Sequence, residues 1–215
     1  MNDCPCAGKT VLSLFDYTGN WSLPYAAAGA DVIRLDLKFG HDIALISPEQ
    51  LAADILGQSC SGRVDGILAA PPCTDFSVSG ARWWPEKDRD GRTNASIHLV
   101  QQVLRIVRFF QPDFWAIENP VGRIEKLVPD LKGYGPYWFQ PCDFGDPYTK
   151  KTGLWGEFVP PLPLFIGGAR AVAPTEGSKM WKSYGGKSER TKTARSETPL
   201  GFARAFFDAN CWGLS

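Results

Sequence analysis

The sequence is short of several things. It has no surplus charge: 23 Lys and Arg balance 23 Asp and Glu, so no global field draws it to a polyanion or a membrane surface. It has no apolar run near the roughly 18 residues that a membrane span needs. Met1 to Lys9 carry no basic start followed by an apolar stretch, so no secretory leader is expected. Six cysteines, scattered over 215 residues, are too few for a disulfide framework. With only His41 and His98, and a Cys4-Pro5-Cys6 spacing that is not a zinc spacing, no metal site is expected either. A reducing cytoplasm is the compartment this implies. What remains, 44% hydrophobic and 21% charged residues, suffices for one globular domain with a sizeable core.

The stretch that organises the rest is Ala69-Ala70-Pro71-Pro72-Cys73-Thr74-Asp75-Phe76-Ser77-Val78-Ser79-Gly80. Val64 to Ala70 reads as a buried strand centred on Ile67 and Leu68. Pro71 and Pro72 stop it, because neither donates a backbone hydrogen bond. Cys73 is left at the carboxyl end of that strand, the edge of an open α/β sheet where ligands gather. A thiol on a stiff turn there is placed as a nucleophile; the competing reading is a buried core cysteine. Thr74 to Thr93, with Gly80, Trp83, Trp84, Pro85 and Gly91, reads as a long polar loop that closes over the thiol.

Upstream, Thr10 to Phe15 reads as an apolar strand, Asp16 to Asn20 as a turn, and Ser22 to Ala28 as a helix. Ala30 to Leu37 holds a second strand closed by Asp36. A glycine in the first turn, Gly19, and an acid ending the second strand suit an adenosine-bearing cofactor, the acid taking the ribose hydroxyls. Gly40-His41-Asp42-Ile43 is a polar turn, and Pro48 to Leu56 a helix with proline at its start. Downstream, Ile97, Val100, Val103, Leu104, Val107 and Phe110 recur at helical steps, which predicts a helix over Asn94 to Phe110 capped by Thr93 or Asn94.

Phe114 to Ile117 is a strand, and Glu118-Asn119-Pro120 leaves its end. A right-handed crossover would set the strands of Cys73 and Glu118 side by side or nearly so; the competing reading of Glu118 is an acid capping a helix. Gly133 to Gly156 reads as two short strands about a turn at Phe144 to Thr152, and Pro199 to Ala209 as a final amphipathic helix. Between Lys179 and Arg195, six basic residues (Lys179, Lys182, Lys187, Arg190, Lys192, Arg195) accompany one acid, Glu189, with Trp181 and Tyr184 among them. That mixture suits a phosphate backbone with stacked bases, and equally a solvated loop.

In order, these segments resemble the DNA (cytosine-5) methyltransferase family. Pro71-Pro72-Cys73, with Phe76, Ser77, Gly80 and Asp90-Gly91-Arg92, is similar to its catalytic motif and following loop. Gln111 to Pro120 resembles its Glu-Asn-Val motif, with Pro120 for valine. Phe15 and Gly19 resemble the first cofactor motif, Asp36 the ribose-binding acid, and Asp42-Ile43 the adenine-contacting pair. Asp143 to Pro147 resembles the lead-in to the Gln-x-Arg-x-Arg motif, and Arg195 to Ala205 the last motif. The resemblance implies an α/β, Rossmann-like class I S-adenosylmethionine-dependent methyltransferase fold, with a mostly parallel sheet and helices on both faces. It implies methyl transfer from S-adenosylmethionine to C5 of a flipped cytosine in DNA, through a covalent adduct at Cys73, with Glu118 and Asn119 as catalytic partners. By the same likeness Phe15, Gly19, Asp36, Asp42, Ile43, Pro71, Ser196 and Thr198 would hold the cofactor. Ser77, Arg92, Lys150, Lys151, Lys182 and Arg190 would meet DNA.

Three departures from that pattern stand out. Tyr148-Thr149-Lys150-Lys151-Thr152 replaces Gln-x-Arg-x-Arg, so a threonine stands where a rigid guanidinium fork is usual. Tyr17 stands in place of a glycine. Only about 40 residues separate Trp155 from Arg195, where the family carries a large recognition domain. Three regions are therefore expected: a catalytic and cofactor-binding domain over 1–157, a reduced basic recognition segment over 158–194, and a returning helix over 195–215. Specificity is expected to be short, or supplied by a partner protein. Two alternatives stay open: another pyrimidine substrate (tRNA, single-stranded DNA or a nucleotide), and a non-catalytic DNA- or cofactor-binding homologue.

Overall fold

The computed structural model describes residues 6–56, 62–166, 169–170, 172–178 and 196–212. A six-stranded sheet forms the middle layer. In chain order its strands are β1 (Thr10–Leu14), β2 (Asp31–Leu35), β3 (Gly66–Ala69), β4 (Phe114–Pro120), β5 (Tyr137–Phe139) and β7 (Thr152–Glu157). The intervening β6 (Tyr148–Thr149) lies outside it. Across the sheet the order is β2-β1-β3-β4-β7-β5. The pairs β1–β2, β1–β3 and β3–β4 are parallel, and β7 alone runs against its neighbours. The sheet is mostly parallel, as expected.

Helices cover both faces, and strand alternation explains which residue meets which. Leu12, Leu14, Ile67, Ala69, Trp115 and Ile117 point to one side. There they pack on α2 (Pro48–Leu56) and on α4 (Arg92–Phe110), which contributes Val100, Val103, Leu104 and Val107. Val11, Leu68, Phe114 and Ala116 point to the other, against Tyr25 of α1 (Leu23–Ala27) and Phe202, Phe206 and Phe207 of the C-terminal helix (Leu200–Asn210). A strand buried on both faces has to be apolar at nearly every position, which is why β1 and β3 read as continuous runs. On the second face the ring of Phe202 stacks on Phe139 at 4.0 Å between centroids. Each such side chain taken from water contributes about 2–3 kcal/mol. Among the described residues no helix is long and apolar enough to cross a membrane.

The largest difference from expectation is at 74–93. It is not an open polar loop: Val78–Trp83 forms a 3-10 turn and Trp84–Arg89 a helix, α3. The charges that make the segment look solvated are paired internally, so Asp75 and Lys87 are buried. Helix α4 also starts at Arg92, two residues early. Gly91, in a left-handed conformation, is its N-cap, and the Thr93 hydroxyl is taken by Asp88 instead. The stretch 133–156 holds more than two strands about a turn. Besides β5 and β7 it holds β6, which pairs in parallel with Gly177–Ser178; beyond it, Phe165–Ile166 pairs with Ala169–Arg170. The expectation for 179–195, including Lys182 and Arg190, lies outside the described residues.

Candidate active site

Strand β3 is entirely buried and ends at Ala69, with Ala70 bonded onward to Leu14. Strands β3 and β4 are parallel neighbours, with Ala69 opposite Ile117. One step further, Ala70 reaches the level of Glu118. The side-chain amide of Asn119 donates to the Pro71 carbonyl at 3.2 Å, which fixes the proline turn to the end of β4. Cys73, half-buried, follows two residues on, within about 7 Å of chain. The thiol-bearing turn and the Glu118-Asn119 pair therefore belong to one edge of the sheet, at its carboxyl ends.

Glu118 is 5% exposed. Its Oε1 has no hydrogen-bond partner, and neither has Asn119 Oδ1. The cation facing that oxygen is Lys150, with Nζ 3.6 Å from Glu118 Oε1 and a side chain only 10% exposed. Two buried acceptors aimed at the same edge are unusual, because an unsatisfied polar atom away from water is destabilising by about 1–3 kcal/mol. They suit a ligand that brings donors. Thr152 is buried, and its hydroxyl donates to the Lys150 carbonyl, so Lys150 rather than Thr152 supplies the cation here. The neighbouring Tyr148 phenol is pushed well up by burial, then by the Asp146 and Glu197 carboxylates. Lys151 is exposed and lies 5.1 Å over the Trp138 ring.

The segment after Cys73 is bolted from several sides. Ser77 bridges Gly122, and Val78 N donates to the Val121 carbonyl. Gly122 is required by this approach, since a Cβ there would sit 1.9 Å from the Phe76 carbonyl oxygen. Arg123 donates to both Asp88 oxygens at 2.7 and 2.8 Å and to the Asp75 carbonyl at 3.0 Å, while its guanidinium lies 4.5 Å over Trp84. Its hydrogen bonds pull the Asp88 carboxyl down to about 2. Lys87 Nζ sits 2.7 Å from Asp75 Oδ1, and Ser96 donates to the other oxygen at 2.6 Å. Burial alone would raise Asp75, but those two hydrogen bonds hold it below the usual carboxylate range. Ser77 is 7% exposed and shares a 3.0 Å hydrogen bond with Ser79. Arg92 is engaged by Glu86 at 2.6 Å and by Asp90. None of Asp75, Lys87, Asp88, Ser96 or Arg123 stood out in the sequence. The alternating charges of Glu86-Lys87-Asp88-Arg89-Asp90 were the available sign.

Where β1 ends, Phe15 takes a positive φ of 61° and Asp16 turns inward. Asp16 accepts from Ser13 at 2.9 Å and from the Ser22 hydroxyl at 2.7 Å, and so sets the first turn. Gly19 is positive in φ, and a Cβ there would stand 2.5 Å from Arg34 Nη1. Tyr17 is exposed, 5.4 Å from the Phe39 ring, with Lys38 4.2 Å above it, so it does not occupy the core of this turn. Asp36 and Asp42 each cap a 3-10 turn through one oxygen, accepting from Lys38 N and Ala44 N. Ile43 is buried in the core. Thr198 is buried, and its carbonyl accepts from the Asn20 amide at 3.4 Å, which brings the segment before the C-terminal helix to the first turn. Ser196 is exposed. Beside β2 a cleft of about 550 Å³ is lined by Arg34, Leu35, His41, Leu45 and Gln50. A smaller one of about 230 Å³, lined by Leu104, Pro112 and Trp115, lies at the start of β4, at the far end from Cys73.

The order β2-β1-β3-β4 reverses direction at β1, and in such sheets ligands bind at that switch, outside the carboxyl ends. Phe15, Asp36 and Pro71 all stand there. This fold and site define a Rossmann-like α/β protein of the class I methyltransferase type, with a thiol and a carboxylate at its working edge. The family model for C-5 cytosine-specific DNA methylase matches residues 10–126, more than half of the chain. The chain belongs to the C-5 cytosine-specific DNA methylase family. It is 35% identical over 82 residues to the Type II methyltransferase M.DdeI of Desulfomicrobium norvegicum, covering 38% of this chain and 16% of that protein. It is 29% identical over 133 residues to the Type II methyltransferase M.AplI of Arthrospira platensis, covering 57% and 36%. The chain thus spans from about a sixth to a little over a third of these curated relatives. Among solved structures, the Entamoeba histolytica methyltransferase EhMeth aligns over 77% of this chain and 57% of its own, at 16% identity and a TM-score of 0.49.

Proposed function

We propose that this chain transfers a methyl group from S-adenosylmethionine to C5 of cytosine in DNA through a covalent adduct at Cys73. The observation that supports the reading is the Asn119 hydrogen bond to the Pro71 carbonyl, which ties the Pro71-Pro72-Cys73 turn to the strand end that carries Glu118, whose buried Oε1 lacks a hydrogen-bond donor. A cytosine ring, protonated at N3 and carrying its amino group, offers donors of that kind. Lys150, beside the same oxygen, is a donor for the ring's carbonyl oxygen or for a phosphate.

The residues divide the work as follows. Cys73, as thiolate, forms a bond to C6, and the C5–C6 electron pair moves to C5, which becomes nucleophilic. Glu118 holds the N3 and amino edge and favours the protonated ring of the adduct. Asn119 keeps the Pro71 carbonyl, and so the thiol turn, in place. Loss of the C5 proton and rupture of the Cys73–C6 bond restore the ring and free the enzyme. S-adenosylmethionine, when bound, supplies an electrophilic sulfonium methyl. Phe15, Gly19, Asp36, Asp42, Ile43, Pro71, Ser196 and Thr198 would hold it, around the switch between β1 and β3. The target base has to leave the duplex to meet the thiol. Ser77, Arg92, Lys150, Lys151, Lys182 and Arg190 are assigned to DNA, within an arrangement of catalytic domain over 1–157, recognition segment over 158–194 and returning helix over 195–215. A recognition segment of that size leaves room for a partner protein that supplies sequence specificity.

The test is incubation with methyl-labelled S-adenosylmethionine and duplex DNA, followed by bisulfite mapping. Single-stranded DNA, tRNA and dCMP run in parallel as competitors. Label at cytosine C5 of the duplex, lost in Cys73→Ser, is the expected result. Label confined to another competitor would move the substrate. No label on any of them, with no covalent trapping on 5-fluorocytosine DNA, would remove the activity.

A further inference from the structure

The edge of the sheet opposite Cys73 carries a pair of sulfur atoms. Cys6, just before β1, and Cys211, just after the C-terminal helix, are 205 positions apart, with their Sγ atoms 2.8 Å from each other. A disulfide bond is about 2.05 Å long, so the two sulfurs stand less than an ångström beyond bonding distance. We propose that Cys6 and Cys211 are a redox-active dithiol that closes into an intramolecular disulfide and clasps the two ends of the described fold together.

Each partner is held by its own frame. Cys6 donates its backbone N–H to the Ala28 carbonyl and accepts from Lys9 N. On the other side Trp212 donates its indole N–H to Asp113 at 2.8 Å and lies 5.0 Å beneath Lys9 Nζ. Tyr25 packs edge-on against both Phe207 and Trp212. The sulfurs meet because β1, α1 and the C-terminal helix are already packed, so closing the bond requires little rearrangement.

Accessibility sets the order of steps. Cys6 is fully buried, and burial, followed by the Cys211 sulfur beside it, pushes its thiol up to about 12. Cys211 is half-buried and reaches solvent. The oxidant is an exogenous disulfide such as oxidised glutathione. Cys211, as thiolate, bonds to one of its sulfurs and expels one glutathione thiolate. Cys6 then gives up its proton to the expelled thiolate and bonds to Cys211 Sγ, expelling the second glutathione as thiolate. Two protein thiols are oxidised, and one glutathione disulfide is reduced to two thiols. The inference stands independently of the proposed methyl transfer, since neither sulfur belongs to the Cys73 edge.

The full chain, reduced and then equilibrated with oxidised glutathione, is alkylated and digested without reduction. The Cys4→Ser background is used, so that residues 1–9 carry a single thiol. The expected product is a disulfide-linked pair of peptides joined through Cys6 and Cys211. The unfolding midpoint should rise by roughly 5–15 °C, reversibly with dithiothreitol, and the rise should be absent in Cys211→Ser. An alkylated Cys6, a glutathione adduct persisting on Cys211, or Cys211 joined to a cysteine other than Cys6 would each overturn the proposal. Peptide mapping of the Cys4→Ser protein decides the matter even if Cys211→Ser folds poorly.

Discussion

The ammonium of Lys150 lies 3.6 Å from the Glu118 carboxylate, and both side chains are a tenth exposed or less. Each ion makes the other's burial tolerable. Removing one leaves the other uncompensated, whereas removing both leaves neutral groups in the same space. Lys150→Met should therefore destabilise the protein by about 3 kcal/mol, and the double variant with Glu118→Gln by clearly less than the two single losses combined. Chemical denaturation of the four proteins checks this; strict additivity would show that the pair is not coupled.

Under the proposed function, the half-buried thiol of Cys73 serves chemistry more than packing. Cys73→Ser should leave the unfolding midpoint within about 2 °C of the parent, because one atom of similar size is exchanged. Methyl transfer should fall by at least about a thousandfold, and the adduct with 5-fluorocytosine DNA should vanish. A stable variant that keeps its activity would remove the covalent role.

Arg123 joins β4's exit to α3 through Asp88, the Asp75 carbonyl and Trp84 at once. Arg123→Ala should destabilise by about 2 kcal/mol and expose 79–91 to proteolysis. Arg123→Lys should restore only part, since an ammonium cannot span both Asp88 oxygens and stack on the indole. Limited proteolysis with mapped cleavage sites is the measurement; cleavage elsewhere in all three proteins would contradict the anchoring role.

Asp75 and Asp88 titrate below the ordinary 3.8 in the folded state. The unfolded chain therefore binds their protons more readily. The stability they lend is complete above the unfolded value and drains away as pH falls through it, toward about 2 for Asp88. The midpoint of the parent should drop steeply between about pH 4 and pH 2, and that of Asp75→Asn should start lower and drop less. Parallel curves would show that Asp75 does not contribute to the acid response.

Strands β1, β3 and β4 were legible because they are buried on both faces and so are mostly apolar along their length. Helix α4 was legible from its spacing, though not its start, because the left-handed Gly91 caps through backbone rather than through Thr93. The Cys73–Glu118 edge followed from the parallel crossover, which β3–β4 pairing bears out. Residues 74–93 were misread for a physical reason: paired and unpaired charges look alike in sequence. Lys87 gives no sign that Asp75 and the Thr74 carbonyl will neutralise and bury it. Lys150 was read from the sequence as a contact to DNA and not as a neighbour of Glu118; that approach depends on β7 pairing with β4 over Thr152 to Glu157.

Lys9, Asp65 and Asp113 gather with Trp212 at the starts of β1, β3 and β4. Polypeptide entering at Cys6 and leaving at Trp212 therefore does so from a single corner, on the side of the sheet turned away from Cys73. A probe attached at Lys9 or Trp212 would report on that corner alone, since Cys73 stands at the other ends of the same strands.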